Sequence, residues 1–255
     1  MNSLLIQIDD QLNEKDAKIQ DLTNTVTAQD AMIKSLRPPN IFDDLEYTPW
    51  LVAQGAAANT GASGAVAGGA QSQPAVTSAW FSLSPTGPYS NRYHYKRFGT
   101  GFSSENIFRP RGAFMFPSVT DAARCQAIEF DLQQSIDGIC FNFGWQFDYA
   151  EGTFRFWDRN SSKWIIAAAQ INLTRPAPMA WTTCVFDTHR DDTNIYYDSC
   201  SINGKPITFT TSPVFPAPIL GLGDMLNFAF QMDGNKNGDP YRVYVNRMRL
   251  TTWGR

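Results

Sequence analysis

Alternation of apolar and polar residues after residue 79 constrains the fold of this chain more than any other feature. Residues 127–132 read AIEFDL, and residues 139–146 place an apolar side chain at every second position. A strand points successive side chains to opposite faces, so a period of two predicts strands with one buried face. Further strands are predicted, without any helix, at 153–157, 163–168, 182–188, 194–202, 205–210, 225–231 and 242–252. The pattern therefore predicts an all-β domain, an antiparallel two-sheet sandwich, over residues 79–255.

Composition agrees with a β-rich domain and argues against two classes of partner. Aromatic residues make up 13% of the chain and charged residues only 18%, with a net charge of −3. Many aromatic and few charged residues favour strands over helices. A chain without a basic excess has little to neutralise phosphates, so nucleic-acid binding is disfavoured. No apolar run reaches the ~18–20 residues of a membrane span, and no signal peptide is recognisable.

A seven-residue repeat of apolar residues fills the N-terminal segment 1–37. The repeat predicts a left-handed coiled coil that ends at Pro38-Pro39 and favours a homotrimer over a dimer. Polar Lys15 and Gln29 complete the seam and would fix its register. The alternative is an amphipathic helix packed on its own domain. The predicted oligomerisation residues are Leu5, Ile8, Leu12, Ile19, Leu22, Val26, Ile33 and Leu36.

Residues 38–78 separate the two segments and are predicted to be a linker. Within them, residues 53–70 are mostly Ala and Gly, with no side chain large enough to build a core. This composition is typical of a flexible linker. The alternative is close-packed Ala/Gly backbone inside a fibre.

Five segments of the C-terminal part resemble those of a known group of domains. They are WFSLS at 80–84, AIEFD at 127–131, FWD at 156–158, KW at 163–164 and FQMDGN at 230–235. In order and spacing they resemble secreted bacterial concanavalin A-like domains of the lectin/glucanase type, also called LamG-like, over about residues 79–253. The resemblance implies a jelly-roll sandwich and leaves the function open.

Glu129, Asp131 and Gln133 form the segment closest to a catalytic motif. Alternation places the three side chains on one face of a strand. Retaining β-glucanases of the resembled fold carry Glu-x-Asp-x-Glu there, with the first Glu as nucleophile and the last as acid/base. An amide at the last position cannot exchange a proton near pH 7, so we expect no glycosidase activity.

A second set of residues has the chemistry of a carbohydrate site. Sugars need apolar platforms beside amide and carboxylate partners, and one predicted hairpin supplies both. Trp145 also continues a phenylalanine stripe, which makes the core an alternative location for it. Trp157 lies on the face opposite to Phe154 and Phe156, so exposure is expected there. The predicted ligand-binding residues are Trp145, Asp148, Tyr149, Trp157, Asp158 and Asn160 of this hairpin, together with Glu129, Asp131 and Gln133.

The segment 233–239 has spacing that resembles a calcium loop. Its candidate ligands are Asp233, Asn235, Asn237 and Asp239. Calcium loops of this type close with a glutamate, and Tyr244 stands at that position. The alternative is a Gly/Asn-rich connection between two strands. Apart from this calcium loop, no cofactor is predicted.

Two of the four cysteines are predicted to form a disulfide. If residues 182–188 and 194–202 form a hairpin about a short turn, Cys184 and Cys200 lie opposite each other. Opposite residues are close enough for a bridge. A bridge would indicate an extracytoplasmic location, whereas four buried free thiols are the alternative.

Together these features predict a non-catalytic oligomeric protein with lectin-like heads. The coiled coil would gather several sandwich domains and raise weak glycan or surface affinity through multivalency. We expect it outside the cell or on a cell or virion surface. The alternatives are a structural subunit of an extracellular fibre or filament, and a receptor-binding protein like a phage tail fibre.

Overall fold

The computed structural model describes residues 15–16, 18–27, 40–42, 51–54, 63–66, 78–85, 87–166, 173–207, 209, 213–235 and 237–254. After residue 39, strands dominate this part of the chain. The strands are β1 (Asn40–Phe42), β2 (Leu51–Gln54), β3 (Ser63–Val66), β4 (Ser78–Leu83), β5 (Asn91–Arg97), β6 (Glu105–Met115), β7 (Cys125–Ile136), β8 (Gly138–Asp148), β9 (Thr153–Asp158), β10 (Lys163–Ile166), β11 (Thr182–Arg190), β12 (Asn194–Ile202), β13 (Lys205–Ile207), β14 (Val214–Pro216), β15 (Ile219–Leu222), β16 (Met225–Gly234) and β17 (Tyr241–Gly254).

These strands form two antiparallel sheets. Among the described residues, the nine-stranded sheet has the order β13-β12-β11-β6-β17-β4-β3, with β1 beside β17 and β14 beside β12. The eight-stranded sheet has the order β10-β9-β8-β7-β16-β5-β2, with β15 beside β8. Neighbours in the sheets are often distant in sequence, as in β7-β16-β5. The side chains of strands far apart in the chain are therefore brought together on one face.

Aromatic rings fill the space between the two sheets. Phe114 of β6, Phe130 of β7 and Trp145 of β8 are 0% exposed. Trp145 stacks on Phe186 of β11 with ring centroids 4.5 Å apart, a contact that joins one sheet to the other. Burial of one such side chain stabilises the fold by about 1.5–3 kcal/mol. Two antiparallel sheets around this core match the predicted jelly-roll sandwich.

One short helix, α1 (Val119–Arg124), interrupts the strands where the sequence predicts none. Ser118 caps it, because its hydroxyl oxygen accepts a hydrogen bond from the Asp121 backbone N–H at 3.0 Å. Serine followed three residues later by an acidic residue is typical of a helix start. The helix is too short to produce an apolar repeat, which explains why the alternation analysis missed it.

The structure corrects the predicted Cys184–Cys200 bridge. Cys184 lies opposite Ile202, and Cys200 lies opposite Phe186, so the two cysteines are diagonal neighbours. A bulge after Asp187 and the turn each shift the register by one position relative to the predicted hairpin. Diagonal Cα atoms are about 7–8 Å apart, beyond disulfide range. All four cysteines are buried and free. A disulfide therefore no longer supports the predicted extracytoplasmic location.

Three short strands lie in the interval 38–78, where a flexible linker is predicted. β1 pairs with β17, β2 with β5 and β3 with β4. Phe42 of β1 also packs on the rings of Phe98 and Phe102, with centroid separations of 4.5 and 5.2 Å. This interval therefore adds strands to both sheets of the sandwich.

The described N-terminal residues, 15–16 and 18–27, are helical. Three predicted seam residues are solvent-exposed, Ile19 by 61%, Leu22 by 64% and Val26 by 61%. A helix docked through this stripe on its own domain would bury them. The other seam positions, Leu5, Ile8, Leu12, Ile33 and Leu36, lie outside the described residues.

Hydrophobicity and length together decide whether a helix can cross a membrane. None of the helices in the described part of the chain is long and apolar enough to do so.

Candidate functional site

Glu129, Asp131 and Gln133 lie on one face of β7, as alternation predicts. The intervening Phe130 and Leu132 are buried in the core, so the three polar residues belong to the outer face of the eight-stranded sheet. Asp131 and Gln133 line a groove of about 360 Å³ on this face. Its volume falls within the range of small-molecule sites. Glu129 is only 3% exposed, which leaves Asp131 and Gln133 as the accessible members of the motif.

Small residues flank Asp131 on both neighbouring strands, so they add little side-chain bulk to the groove. Asp131 lies opposite Ala229 of β16 on one side and Gly144 of β8 on the other. A Cβ atom on Gly144 would lie 2.8 Å from the Trp157 Cβ and 3.0 Å from Asp131 Oδ1. Both separations are shorter than ordinary contacts. The absence of a side chain at Gly144 therefore lets Trp157 approach Asp131.

A pair of tryptophans lies beside Gly144, next to the residues that line the groove. Trp157 of β9 lies opposite Trp164 of β10, and their ring centroids are 5.0 Å apart. Tyr197, from the other sheet, holds the backbone under this pair. Its hydroxyl accepts a hydrogen bond from the Gly144 N–H at 2.9 Å and donates one to the Trp157 carbonyl at 3.0 Å. Tyr197, a core residue, therefore fixes the backbone that carries Trp157.

Amide side chains form a row across three neighbouring strands. Asn227 of β16, Gln133 of β7 and Asn142 of β8 occupy paired positions and all line the groove. Arg97 of β5 lies opposite Asn227 at one end of this row. Arg159, which follows β9, lines the groove from the other side. Amides and guanidinium groups together offer many hydrogen bonds to a polar ligand.

The carboxyl groups on this face hold their protons more tightly than usual. Burial, and then the negative charge of Asp233, raise the pKa of Asp131 to about 8, while Arg159 acts in the opposite direction. Burial also raises the pKa of Asp233 to about 7 and holds that of Glu129 well above its usual range. At neutral pH the Asp131 carboxyl is mostly uncharged.

Glu129 belongs to a buried hydrogen-bond network that lies next to the groove. The Gln146 amide donates to Glu129 Oε1 at 2.7 Å, and the Gln231 amide donates to Asp233 Oδ1 at 2.7 Å. Arg155 donates to Gln146 Oε1 at 3.3 Å. Polar groups that satisfy one another in this way fix the shape of the sheet face.

Trp145 and Tyr149, two predicted ligand residues, lie away from the groove. Trp145 is in the core between the sheets, the alternative that the sequence left open. Tyr149 is buried against Phe116, with ring centroids 6.1 Å apart. Neither side chain is accessible to a ligand in the groove.

The remaining predicted ligand residues, Asp148, Asp158 and Asn160, serve turns and ion pairs. Asp148 is fully buried and pairs with Arg155 at 2.7 Å. Asp158 accepts a hydrogen bond from the backbone N–H of Asn160 at 3.0 Å within the β9–β10 turn. Asp148 and Asp158 therefore stabilise the hairpin that carries Trp157.

The residues predicted as calcium ligands point to different partners. Asp233 is buried and engaged by Gln231, whereas Asn235 accepts hydrogen bonds from the backbone N–H groups of Asn237 and Asp239. Within the described ranges, no group of three or more His, Cys, Asp or Glu side chains is arranged to hold a metal ion.

Several groove residues were missed because they come from other strands. Alternation alone could have placed Trp164 on the same hairpin face as Trp157, because the two strands adjoin in sequence. The pairing of β5 and β16 with β7 is long-range and leaves no local signal. The missed groove residues include Tyr93, Tyr95, Arg97, Asn142, Arg159 and Asn227, and Trp164 was missed beside the groove.

Similar solved structures include domains named for carbohydrate binding and others named as enzymes. The family 11 carbohydrate-binding module of a Clostridium thermocellum cellulosomal cellulase is 14% identical, with a TM-score of 0.41, over 86% of this chain and 95% of that chain. Peanut lectin is 11% identical, with a TM-score of 0.42, over 85% and 97%. The alginate lyase Aly36B is 10% identical, with a TM-score of 0.42, over 68% and 80%.

No family model matches this chain, and no curated protein matches its sequence. The fold is therefore described by its strand order and register, and the chemistry of the groove by the residues that line it.

Proposed function

We propose that this chain is a non-catalytic, homo-oligomeric glycan-binding protein with the sandwich as its head. The observation that carries the proposal is the groove, which is lined by Tyr95, Asp131 and the amide row and has Trp157 beside it, next to Gly144. Sugar rings present apolar faces that pack on aromatic rings and hydroxyls that bond to amides and carboxyls. The groove provides both kinds of contact.

Unpartnered polar atoms on the groove face support a hydroxyl-rich ligand. Asp131 Oδ2 and Asn227 Oδ1, on two residues that line the groove, are buried and have no hydrogen-bond partner among the described residues. A buried polar atom without a partner costs about 1–3 kcal/mol. Ligand hydroxyls that bond to these atoms recover that free energy, which favours a polyol over an apolar ligand.

The placement of the carboxyl groups on the groove face supports binding without hydrolysis. Gln133 occupies the position where an acid/base would have to stand, and an amide cannot transfer a proton at neutral pH. Glu129 is buried and held by the Gln146 amide, so it is poorly placed to attack a sugar. Asp131 is the one carboxyl that lines the groove.

The exposed seam of the N-terminal helix supports the oligomeric part of the proposal. Ile19, Leu22 and Val26 leave an apolar stripe uncovered, and the heptad spacing fits a second and third copy of the same helix. Several heads on one stalk bind a surface that repeats the same glycan with higher avidity than one head. A cell or virion surface outside the cytoplasm is the setting that suits this design.

A glycan array probed with the full chain tests the proposal, with Trp157→Ala as the groove variant. We expect the unmodified protein to bind a subset of glycans, and the variant to lose at least about tenfold in affinity because an aromatic platform is removed. Trp253→Ala is the matched control. Trp253 lies on the nine-stranded sheet, with the Arg109 guanidinium 5.8 Å from its ring centroid.

Absence of binding to any glycan would contradict the proposal and favour a structural fibre subunit. Equal losses in the Trp157 and Trp253 variants would show that the groove is not the site.

A further inference from the structure

Two arginines frame the amide row of the groove. Arg97 lies on β5 and Arg159 directly follows β9. Strands β16, β7 and β8 separate them. At about 4.8 Å per strand, the two arginine-bearing strands are roughly 19 Å apart. An extended ligand that crosses the strands would meet a guanidinium group near each end.

Neither arginine is neutralised by a partner in the described part of the chain. The ion pairs found there involve Arg109, Arg155 and His189. The Arg97 guanidinium has a weak contact with the sulfur of Met225, at 3.9 Å. As far as the described residues go, both guanidinium groups are therefore available to a ligand in the groove.

Two acidic residues near the groove, Asp158 and Asp224, are engaged by backbone N–H groups, and a third, Asp131, holds its proton more tightly than usual. Asp158 accepts hydrogen bonds from the turn beside Arg159. Asp224 accepts one from the Asp137 backbone N–H at 3.1 Å. Burial and the Asp233 charge raise the pKa of Asp131 to about 8. Among the residues that line the groove, two arginines face one carboxyl group, so the lining has an excess of positive charge even when Asp131 is ionised, although the whole chain has a net charge of −3.

We infer that the groove binds an anionic glycan, whose carboxylate or sulfate groups pair with Arg97 and Arg159 while its hydroxyls bond to the amide row. This inference rests on the proposed glycan-binding function. A guanidinium group presents its donors in a planar fork that matches the oxygens of a carboxylate or a sulfate. Tyr95 and Trp157 pack on the sugar rings, as they would for a neutral glycan.

The test is isothermal titration of the full chain with three hexasaccharides: hexagalacturonate, a sulfated heparin-derived hexasaccharide and the neutral cellohexaose. We expect at least one anionic ligand to bind roughly tenfold or more tightly than cellohexaose, because charge-assisted hydrogen bonds are stronger than neutral ones. The anionic affinity should fall as NaCl rises, because salt screens the pairing. The two anionic arms show whether carboxylate or sulfate is preferred.

Arg97→Gln and Arg159→Gln are the test variants, and Arg109→Gln on the nine-stranded sheet is the matched control. Each groove variant should weaken the anionic ligand roughly tenfold and leave cellohexaose binding nearly unchanged. The control should bind like the unmodified protein.

Two results would overturn the inference in different ways. If cellohexaose binds as tightly as the anionic ligands, or if both groove variants keep full anionic affinity, the charge preference is wrong and glycan binding stands. If no hexasaccharide and no array glycan binds, the proposed function itself fails, and the inference fails with it.

Discussion

Asp131 lines the groove, and its buried surroundings disfavour the charged form of its carboxyl group. Its neighbours across the sheet are Ala229 and Gly144, which contribute no hydrogen-bonding side chain. Asp233 lies close by, and its negative charge disfavours a second one on Asp131. A protonated Asp131 can donate a hydrogen bond as well as accept one, which suits a ligand rich in hydroxyls.

Asp131 should make the protein less stable as pH rises. The folded state keeps this proton to about pH 8, whereas an unfolded aspartate loses it near pH 4. The folded state thus binds more protons than the unfolded state between these values, and the free energy of unfolding falls with increasing pH. Urea unfolding at pH 5 and pH 8.5 should show this fall, and Asp131→Asn should make it smaller.

Asp192→Asn is the control for the pH experiment, because Asp192 is exposed in the β11–β12 turn. It should leave the pH dependence unchanged. A pH dependence in Asp131→Asn equal to that of the unmodified protein would show that Asp131 ionises normally in the folded state.

At the scale of strands, alternation predicts faces well and partners poorly. Side-chain direction is a local property, so the shared face of Glu129, Asp131 and Gln133 could be predicted from six residues of sequence. Pairing between β7 and β16 depends on packing of the whole core. The sequence alone could therefore not predict that Asn227 lines the groove. Register can fail even in a hairpin, because the bulge after Asp187 shifts Cys200 away from Cys184.

The N-terminal helix yields the prediction that belongs to the element scale. Ile19→Glu places a charge in the predicted seam, whereas Asn24→Glu adds the same charge on the outer side. Asn24 accepts a hydrogen bond from the Gln20 amide at 3.2 Å, and a glutamate can still accept it. Light scattering should give a trimer mass for the unmodified chain and Asn24→Glu, and a monomer mass for Ile19→Glu, because a buried charge in the seam is costly.

A monomeric unmodified chain would contradict the coiled coil, as would an Ile19→Glu variant of unchanged mass. Either result would leave the exposed stripe without a partner and remove the avidity argument.

At the scale of the whole molecule, the proposed coiled coil brings together several heads, each of which has one small groove. A groove of about 360 Å³ contacts only a few sugar units, so one head is expected to bind weakly. Linking heads makes the second binding event intramolecular and can raise avidity by about 10²–10⁴. Strands from the interval 38–78 pair with both sheets, so the chain between helix and head is partly built into the sandwich.

The central claim is that the groove is where a glycan binds, and tryptophan fluorescence tests it most directly. Of the seven tryptophans in the chain, Trp157 and Trp164 lie beside the groove, next to Gly144 and Asp131. Titration of the full chain with a glycan selected on the array should shift the emission in a saturable way. Trp157→Phe combined with Trp164→Phe should abolish the shift while calorimetry still detects binding, because phenylalanine keeps an aromatic platform. A shift that persists in the double variant would place the glycan elsewhere and contradict the claim.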